Sequence, residues 1–297
     1  MRGISILYSN SFRSKSLTRG FQTNLISLVH RGNMAEHLLP LAVAHRGGNE
    51  VAHENTLEAF QDAIDLGYRR LETDVHYTRQ GELLAVHGQT IDGSEEIEKG
   101  VDAYVHIGER AIRLADLTRA DRQAIAHDGF YIPTLEEAMS LNGEVSWNID
   151  AKRQEAVLPL IDVLRRLDAF HRVTLASFNE GSIRELRARA PKGTQTSLVE
   201  SEIRKLYLTG FLPWDPVNFP KHTRAQVPST YGKRKIVTRA FVRAAHRHGI
   251  PLDVWTINNQ QEMEHLLDIG VDGIMTDELR TLKTALEARG MSLSYPL

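Results

Sequence analysis

Cysteine is missing from all 297 residues. That one absence excludes disulfides, thiolate zinc sites, iron–sulfur clusters and a cysteine nucleophile together, and it suits a reducing compartment, so the expected location is cytoplasmic. Excess charge is missing too. The 36 Lys+Arg against 38 Asp+Glu leave a formal net charge of −2, and no cationic surplus points to nucleic acid or to an anionic membrane surface. No apolar run reaches the roughly 18 residues that a bilayer-spanning helix needs. Heptads, short-period repeats and low-complexity tracts are absent. What remains, 41% hydrophobic and 25% charged residues, is ordinary globular usage that can bury a core without staples.

Acidic residues are also absent from positions 1–35, which carry Arg2, Arg13, Lys15, Arg19, Arg31 and a run of serines. Three readings fit: a transit or signal-like extension, a disordered basic arm, or upstream sequence translated in error with Met34 as the true start. The last ranks first, because the apolar stretch at 25–29 is too short and too interrupted for a secretory core. The expected division is a disordered or mis-assigned N-terminal extension over 1–37 and a folded domain over 38–290.

From residue 41 onward short β-type runs alternate with helix-type runs. Strands are expected over 41–45, 70–77, 82–87, 144–149, 173–176, 195–199, 252–257 and 273–275, and helices over 54–66, 134–141, 155–167 and 279–288. Repeated βα units over this length imply a parallel barrel or a doubly wound sheet. Polar residues stand just after several strands: His45 and Arg46, Asp74, His87, Asp150 to Lys152, Ser177, Asn258 and Asp277. A barrel gathers strand C-termini at one mouth and an open sheet spreads them along an edge, so the expected fold is α/β, a single (β/α)8 TIM barrel. Residues 90–108 read as irregular. Residues 210–232, with Pro213, Pro216, Pro220 and Pro228, read as a loop excursion.

The string His45-Arg46-Gly47-Gly48 follows a buried strand, with Glu54-Asn55-Thr56 at a helix start. It can offer a proton shuttle, a fixed positive fork and open amide groups for a phosphate. Alone it fits a surface turn better, with Asn55 or Thr56 as the helix cap. Strand alternation puts Glu72 and Asp74 on one face. Like charges so placed repel unless a cation sits between them, and an all-oxygen set without cysteine favours one divalent cation, Mg²⁺ or Ca²⁺, over zinc. Asn148, Asp150 and Lys152 alternate in the same way. Asp150 is placed to add a third carboxylate and Lys152 to face an anionic ligand, the bland alternative being an internal Asp150–Lys152 pair. His87 ends a strand and brings a second imidazole to the mouth of His45, which suits acid and base roles on opposite oxygens of a phosphorus centre. His53, His76, His127, His222, His246 and His248 lack such a context and read mostly as surface or capping residues.

Taken in order, His-Arg-Gly, Glu-Asn-Thr, Glu-x-Asp-Val, the strand-end His87, Asp150-x-Lys152, Ala176-Ser177-Phe178, the run from Val254 to Asn258 and the run from Val271 to Asp277 resemble the glycerophosphodiester phosphodiesterase family over roughly 41–286. The resemblance implies a TIM barrel with a divalent cation that hydrolyses glycerophosphodiesters to an alcohol and glycerol 3-phosphate. It implies His45 and His87 as acid and base, and Glu72, Asp74 and Asp150 as cation ligands. Arg46 and Lys152 would hold the phosphate, Glu54 would support the site, and Trp255 would wall the pocket. It also admits the substrate's own glycerol hydroxyl as first nucleophile. Four features depart from the family pattern: Gly88 replaces the usual Asp, Thr90-Ile91-Asp92-Gly93-Ser94 a run that normally reads like Thr-Leu-Asp-Arg-Thr, Asp150 a frequent Glu, and His53 a common Pro. The first departure predicts a loosely oriented His87 and a gain of activity on restoring Asp at position 88. Two further functions compete. One is a phospholipase D-like enzyme for lysophospholipids or sphingomyelin, with an apolar rim from Tyr207, Leu208, Phe211, Leu212, Pro213 and Trp214. The other is a catalytically silent barrel binding phosphorylated ligands, motivated by Gly88. In each case the partner is a small molecule.

Overall fold

The computed structural model describes residues 41–93, 102–127, 129–209 and 217–293. The expected extension over 1–37 lies outside them. In chain order the strands are β1 (Leu41–Ala44), β2 (Arg70–Tyr77), β3 (Leu83–Ala85), β4 (Tyr104–Ile107), β5 (Arg110–Arg113), β6 (Ser146–Ala151) and β7 (Val173–Ala176). They continue with β8 (Gln195–Ser197), β9 (Thr223–Pro228), β10 (Thr230–Tyr231), β11 (Arg234–Lys235), β12 (Leu252–Trp255) and β13 (Gly273–Thr276). Eight of them, β1, β2, β6, β7, β8, β9, β12 and β13, pair in parallel, and β1 closes the barrel on β2 with Ala44 opposite Leu71. The expected TIM barrel is the observed fold. β3 is antiparallel to β2 and lies outside the ring of eight.

The helices are α1 (Leu57–Asp65), α2 (Arg119–His127), α3 (Leu135–Met139), α4 (Val157–Arg166), α5 (Glu180–Arg189), α6 (Glu200–Thr209), α7 (Arg239–Arg247), α8 (Gln260–Ile269) and α9 (Leu279–Glu287). Thr56, Thr134, Asn179, Thr238 and Asn259 cap five of them by accepting from the amide three residues on; such caps are typically worth about 1 kcal/mol each. The apolar core lies between strands and helices. Outward residues such as Leu71, Trp147, Ile149, Val227 and Leu252 meet Phe60, Leu164, Phe241 and Leu282 from the helices. Phe60 packs edge-on to Trp147 at 5.0 Å, an arrangement adding about 0.5–1.5 kcal/mol beyond area burial.

The barrel interior has the opposite character. Arg70, Glu72, Asp74 and His76 alternate inward along β2, joined by Asn148 and Asp150 on β6, Arg224 and Gln226 on β9, and Asp253 on β12. Arg224 donates to Asp253 through Nε at 2.7 Å and through Nη2, while Arg70 Nη2 lies 3.8 Å from the same carboxylate. Gln226 Nε2 links this layer to Asn148 Oδ1 at 2.8 Å. This layer also holds the main correction to the sequence reading. β9 falls inside 210–232, read as a loop because of its prolines, and Pro220 precedes the strand and Pro228 ends it; residues 210–216 lie outside the described set.

Two other expectations change. Residues 90–108 are partly ordered into strand: β4 pairs with β5, and with α2 they enclose a second apolar cluster of Leu84, Val105, Ile112, Leu114, Leu117 and Ile125. The rim assigned to Tyr207 and Leu208 does not border the mouth. These residues close α6, and a βα barrel helix ends at the face where the next strand begins. Arg247, at the end of α7, donates to the Thr209 carbonyl at 2.9 Å on that same face. Tyr207 packs on Phe241, Leu208 is exposed, and Phe211, Leu212, Pro213 and Trp214 lie outside the described residues. Among the described residues no helix is long and apolar enough to cross a membrane.

Candidate active site

β1 delivers His45 to the mouth and the chain turns at once. Arg46, Gly47 and Gly48 all have positive φ (52°, 81° and 82°). A Cβ on Gly47 would lie 2.9 Å from Ala59 and Phe60 of α1, so only glycine allows this close approach. The turn aims the Arg46 amide at Glu72 Oε2, 3.2 Å away. Asn55, also at positive φ, accepts from Thr73 through its side chain at 2.7 Å, and Thr56 is the cap. The cap alternative is thus correct for Thr56, and the same turn still builds a site.

Arg46, Glu54, Asp74, Asp150 and Lys152 form one ion-pair cluster. Arg46 Nη1 donates to Glu54 Oε1 at 2.7 Å and its Nε lies 2.9 Å from Asp74 Oδ2. Lys152 Nζ stands 2.6 Å from Asp74 Oδ1 and 2.8 Å from Asp150 Oδ2. Its ammonium also lies 5.7 Å from the Phe178 ring centre, and Phe178 meets Trp255 edge-on at 5.8 Å. Trp255 therefore reaches the cluster through Phe178. Observed β6 extends to Ala151, so Asp150 sits within the strand beside Asp74 in register.

Electrostatics separates these groups. Burial, then the charge of Asp74, raises Glu72 above its ordinary value. Burial would raise Asp74 as well, but Lys152 and Arg46 outweigh it and hold Asp74 well below the carboxylate range. Burial acts to lower His45, yet the hydrogen bond to Asp277 and the charge of Glu72 prevail, and its pKa is raised from 6.5. Burial lowers His87 to about 4 despite Asp74, with Arg46 and Lys152 acting in the same direction.

Hydrogen bonds fix both rings. Beside a carboxylate that only accepts, His45 Nδ1 donates to Asp277 Oδ1 at 2.6 Å, leaving Nε2 3.8 Å from Glu72 Oε2. Asn258 donates to Asp277 Oδ2 at 2.8 Å and accepts from the Asp277 amide at 3.0 Å. Asp277 and Asn258 are the functional residues that the sequence reading left without a role; their position just after two strands was the available signal. His87 Nδ1 donates to the Gly88 carbonyl at 3.0 Å, so a backbone group holds the ring where the family pattern has an aspartate. Gly88 has φ +80°, and a Cβ there would lie 2.7 Å from Leu114 and 3.0 Å from Ala103. An aspartate at 88 would thus be strained in this backbone, which weighs against the expectation that it would improve the site.

The donor set fits a hard divalent cation. All candidate ligand atoms are carboxylate oxygens, Asp150 Oδ1 is buried without a hydrogen-bond partner, and Asp74 Oδ2 has only the Arg46 ion pair. Among the described residues no three His, Asp or Glu side chains surround a common point; the Lys152 ammonium stands between Asp74 and Asp150. A groove of about 1510 Å³ on the outer wall, lined by residues including Tyr77, Glu82, Arg122, Tyr131 and Leu158, shares none of these site residues.

A closed (β/α)8 barrel with acids, cations and two imidazoles at the C-terminal mouth defines the class, a barrel enzyme built for an anionic substrate. Its residues 30–281 match the family model described as the glycerophosphoryl diester phosphodiesterase family. The chain belongs to that family, which makes it a phosphoric diester hydrolase. It is similar to the "Probable glycerophosphodiester phosphodiesterase 2" of Mycobacterium tuberculosis, 32% identical over 259 residues covering 84% of this chain and 92% of that protein. It is also similar to lysophospholipase D GDPD1 of Rattus norvegicus, 24% identical across 88% of this chain and 90% of the relative. The crystal structure of a glycerophosphodiester phosphodiesterase from Agrobacterium tumefaciens superimposes with a TM-score of 0.61 at 18% identity, covering 82% of this chain and 99% of that one.

Proposed function

We propose that the chain hydrolyses glycerophosphodiesters to an alcohol and glycerol 3-phosphate, using a divalent cation, Mg²⁺ or Ca²⁺, held by Glu72, Asp74 and Asp150. The observation that carries this reading is the pairing of two differently held imidazoles with one buried carboxylate cluster. Bound there, the cation would supply charge for the developing phosphoryl anion. Arg46, anchored on Glu54, and Lys152 supply further positive charge to the phosphate oxygens.

With Nδ1–H committed to Gly88, neutral His87 presents a bare Nε2 that takes the proton from the attacking oxygen. With Nδ1–H committed to Asp277 and its pKa raised, His45 carries the proton on Nε2 that goes to the leaving alkoxide. The attacking oxygen forms the new bond to phosphorus as the bond to the alkoxide breaks. Entering and leaving oxygens lie on opposite sides of phosphorus, so two rings serve better than one. The absence of cysteine supports a cytoplasmic setting.

A second substrate class rests on Phe178. It is 51% exposed beside Trp255 and Lys152, a surface suited to the apolar chain of a lysophospholipid. The test is release of glycerol 3-phosphate from glycerophosphocholine, compared with release of choline from lysophosphatidylcholine, in Mg²⁺ and in Ca²⁺. The proposal expects the first reaction to dominate. Turnover of lysophosphatidylcholine alone would transfer the assignment to the second class.

A further inference from the structure

We infer that His76, a histidine with no part in the proposed proton transfers, is the positioning residue for His87; the inference rests on the reading of His87 as the base. His76 is the last inward side chain of β2 and is 5% exposed. Its Nε2 lies 3.1 Å from the His87 carbonyl oxygen. A carbonyl only accepts, so His76 Nε2 donates and its tautomer is settled.

The segment carrying His87 is secured residue by residue. Ala85 N–H donates to the Pro133 carbonyl at 2.9 Å and Val86 N–H to the Asp74 carbonyl at 3.0 Å. On the far side Gln89 and Tyr104 exchange amide bonds at 2.8 and 2.7 Å. Peptide groups are planar, so securing one polar end of a unit sets its whole plane. Gln89 N–H therefore fixes the Gly88–Gln89 unit, whose carbonyl receives the His87 ring. The His87–Gly88 unit is fixed by His76 through the His87 carbonyl. Between the two planes lies Gly88 at φ +80°, a residue free enough to let an unsecured plane rotate. Losing the His76 donor would release the plane that carries the His87 ring and leave a carbonyl without its partner.

The experiment compares His76→Gln, which keeps an N–H donor at similar reach, with His76→Leu and His76→Met, which fill the space without one. Each is made in the wild-type and His87→Ala backgrounds, with kcat, KM and Tm measured on glycerophosphocholine. Misplacement of a reacting group typically costs on the order of 10- to 100-fold; that loss is expected in kcat for whichever donor-less variant folds, with KM little changed. His76→Gln should recover most of the loss, and in the His87→Ala background the same substitutions should change nothing further. An unaltered kcat in the donor-less variants, no recovery with Gln at equal Tm, or an equal loss in the His87→Ala background would overturn the inference. Wild-type turnover by His87→Ala itself would instead remove the base assignment beneath it.

Discussion

His45→Ala and His87→Ala should each lower kcat on the order of 10²- to 10⁴-fold, the usual worth of a positioned general acid or base. Neither ring is assigned as a cation ligand, so calorimetric binding of Mg²⁺ or Ca²⁺ should survive both substitutions. A variant that loses cation binding along with turnover would place that imidazole among the ligands instead. Gly88→Asp tests the other departure at this scale. The positive φ and the 2.7 Å approach to Leu114 predict a lower Tm and lower kcat, measured by thermal melting and initial rates; higher activity would show that the ring needs a carboxylate and that the Gly88 carbonyl is an inadequate substitute.

Among the elements β9 is the most informative. Its inward Arg224 shares Asp253 with Arg70 in a fully buried layer. Asp253→Ala would leave two guanidiniums without their counter-charge, and breaking a buried pair in this way costs about 3–5 kcal/mol. Burial alone would raise the Asp253 pKa, but Arg224 and Arg70 push it down from 3.8 to about 2. A depressed carboxylate contributes stability that is full above its unfolded value and is lost as pH falls through its folded one. The Tm difference between wild type and Asp253→Asn should therefore be constant near pH 6 and narrow between about pH 4 and pH 2; a difference that persists at pH 2 would contradict the ion-pair account. The same layer shows why β9 escaped the sequence reading while β2 and β6 did not. Along β2 and β6 inward Glu72, Asp74, Asn148 and Asp150 alternate with outward residues such as Leu71, Val75, Trp147 and Ile149, in runs free of proline. Thr223 to Pro228 also turns its charge inward, but it ends in proline and follows a proline-rich stretch. Flanking prolines thus outweighed a periodicity that β9 shares with β2 and β6.

For the whole molecule, the barrel was legible because the βα alternation repeats, and most of the site because strand-end residues meet at one mouth. Contacts between distant segments were not legible in that way. The pairing of His45 with Asp277 spans 232 positions, and the insert carrying β4, β5 and α2 hides its own small core behind charged residues. The cation is the proposal on which the other assignments depend, because it would account for three buried carboxylates at one mouth. Its most direct test is the initial rate of glycerol 3-phosphate release from glycerophosphocholine, measured in Mg²⁺ and in Ca²⁺, after exhaustive chelation, and again on restoring each ion. The account predicts loss of turnover on chelation and recovery with at least one ion, and little recovery when Asp150 is replaced by Asn. Full activity after chelation would contradict it and leave Arg46 and Lys152 as the sole stabilisers of phosphoryl charge.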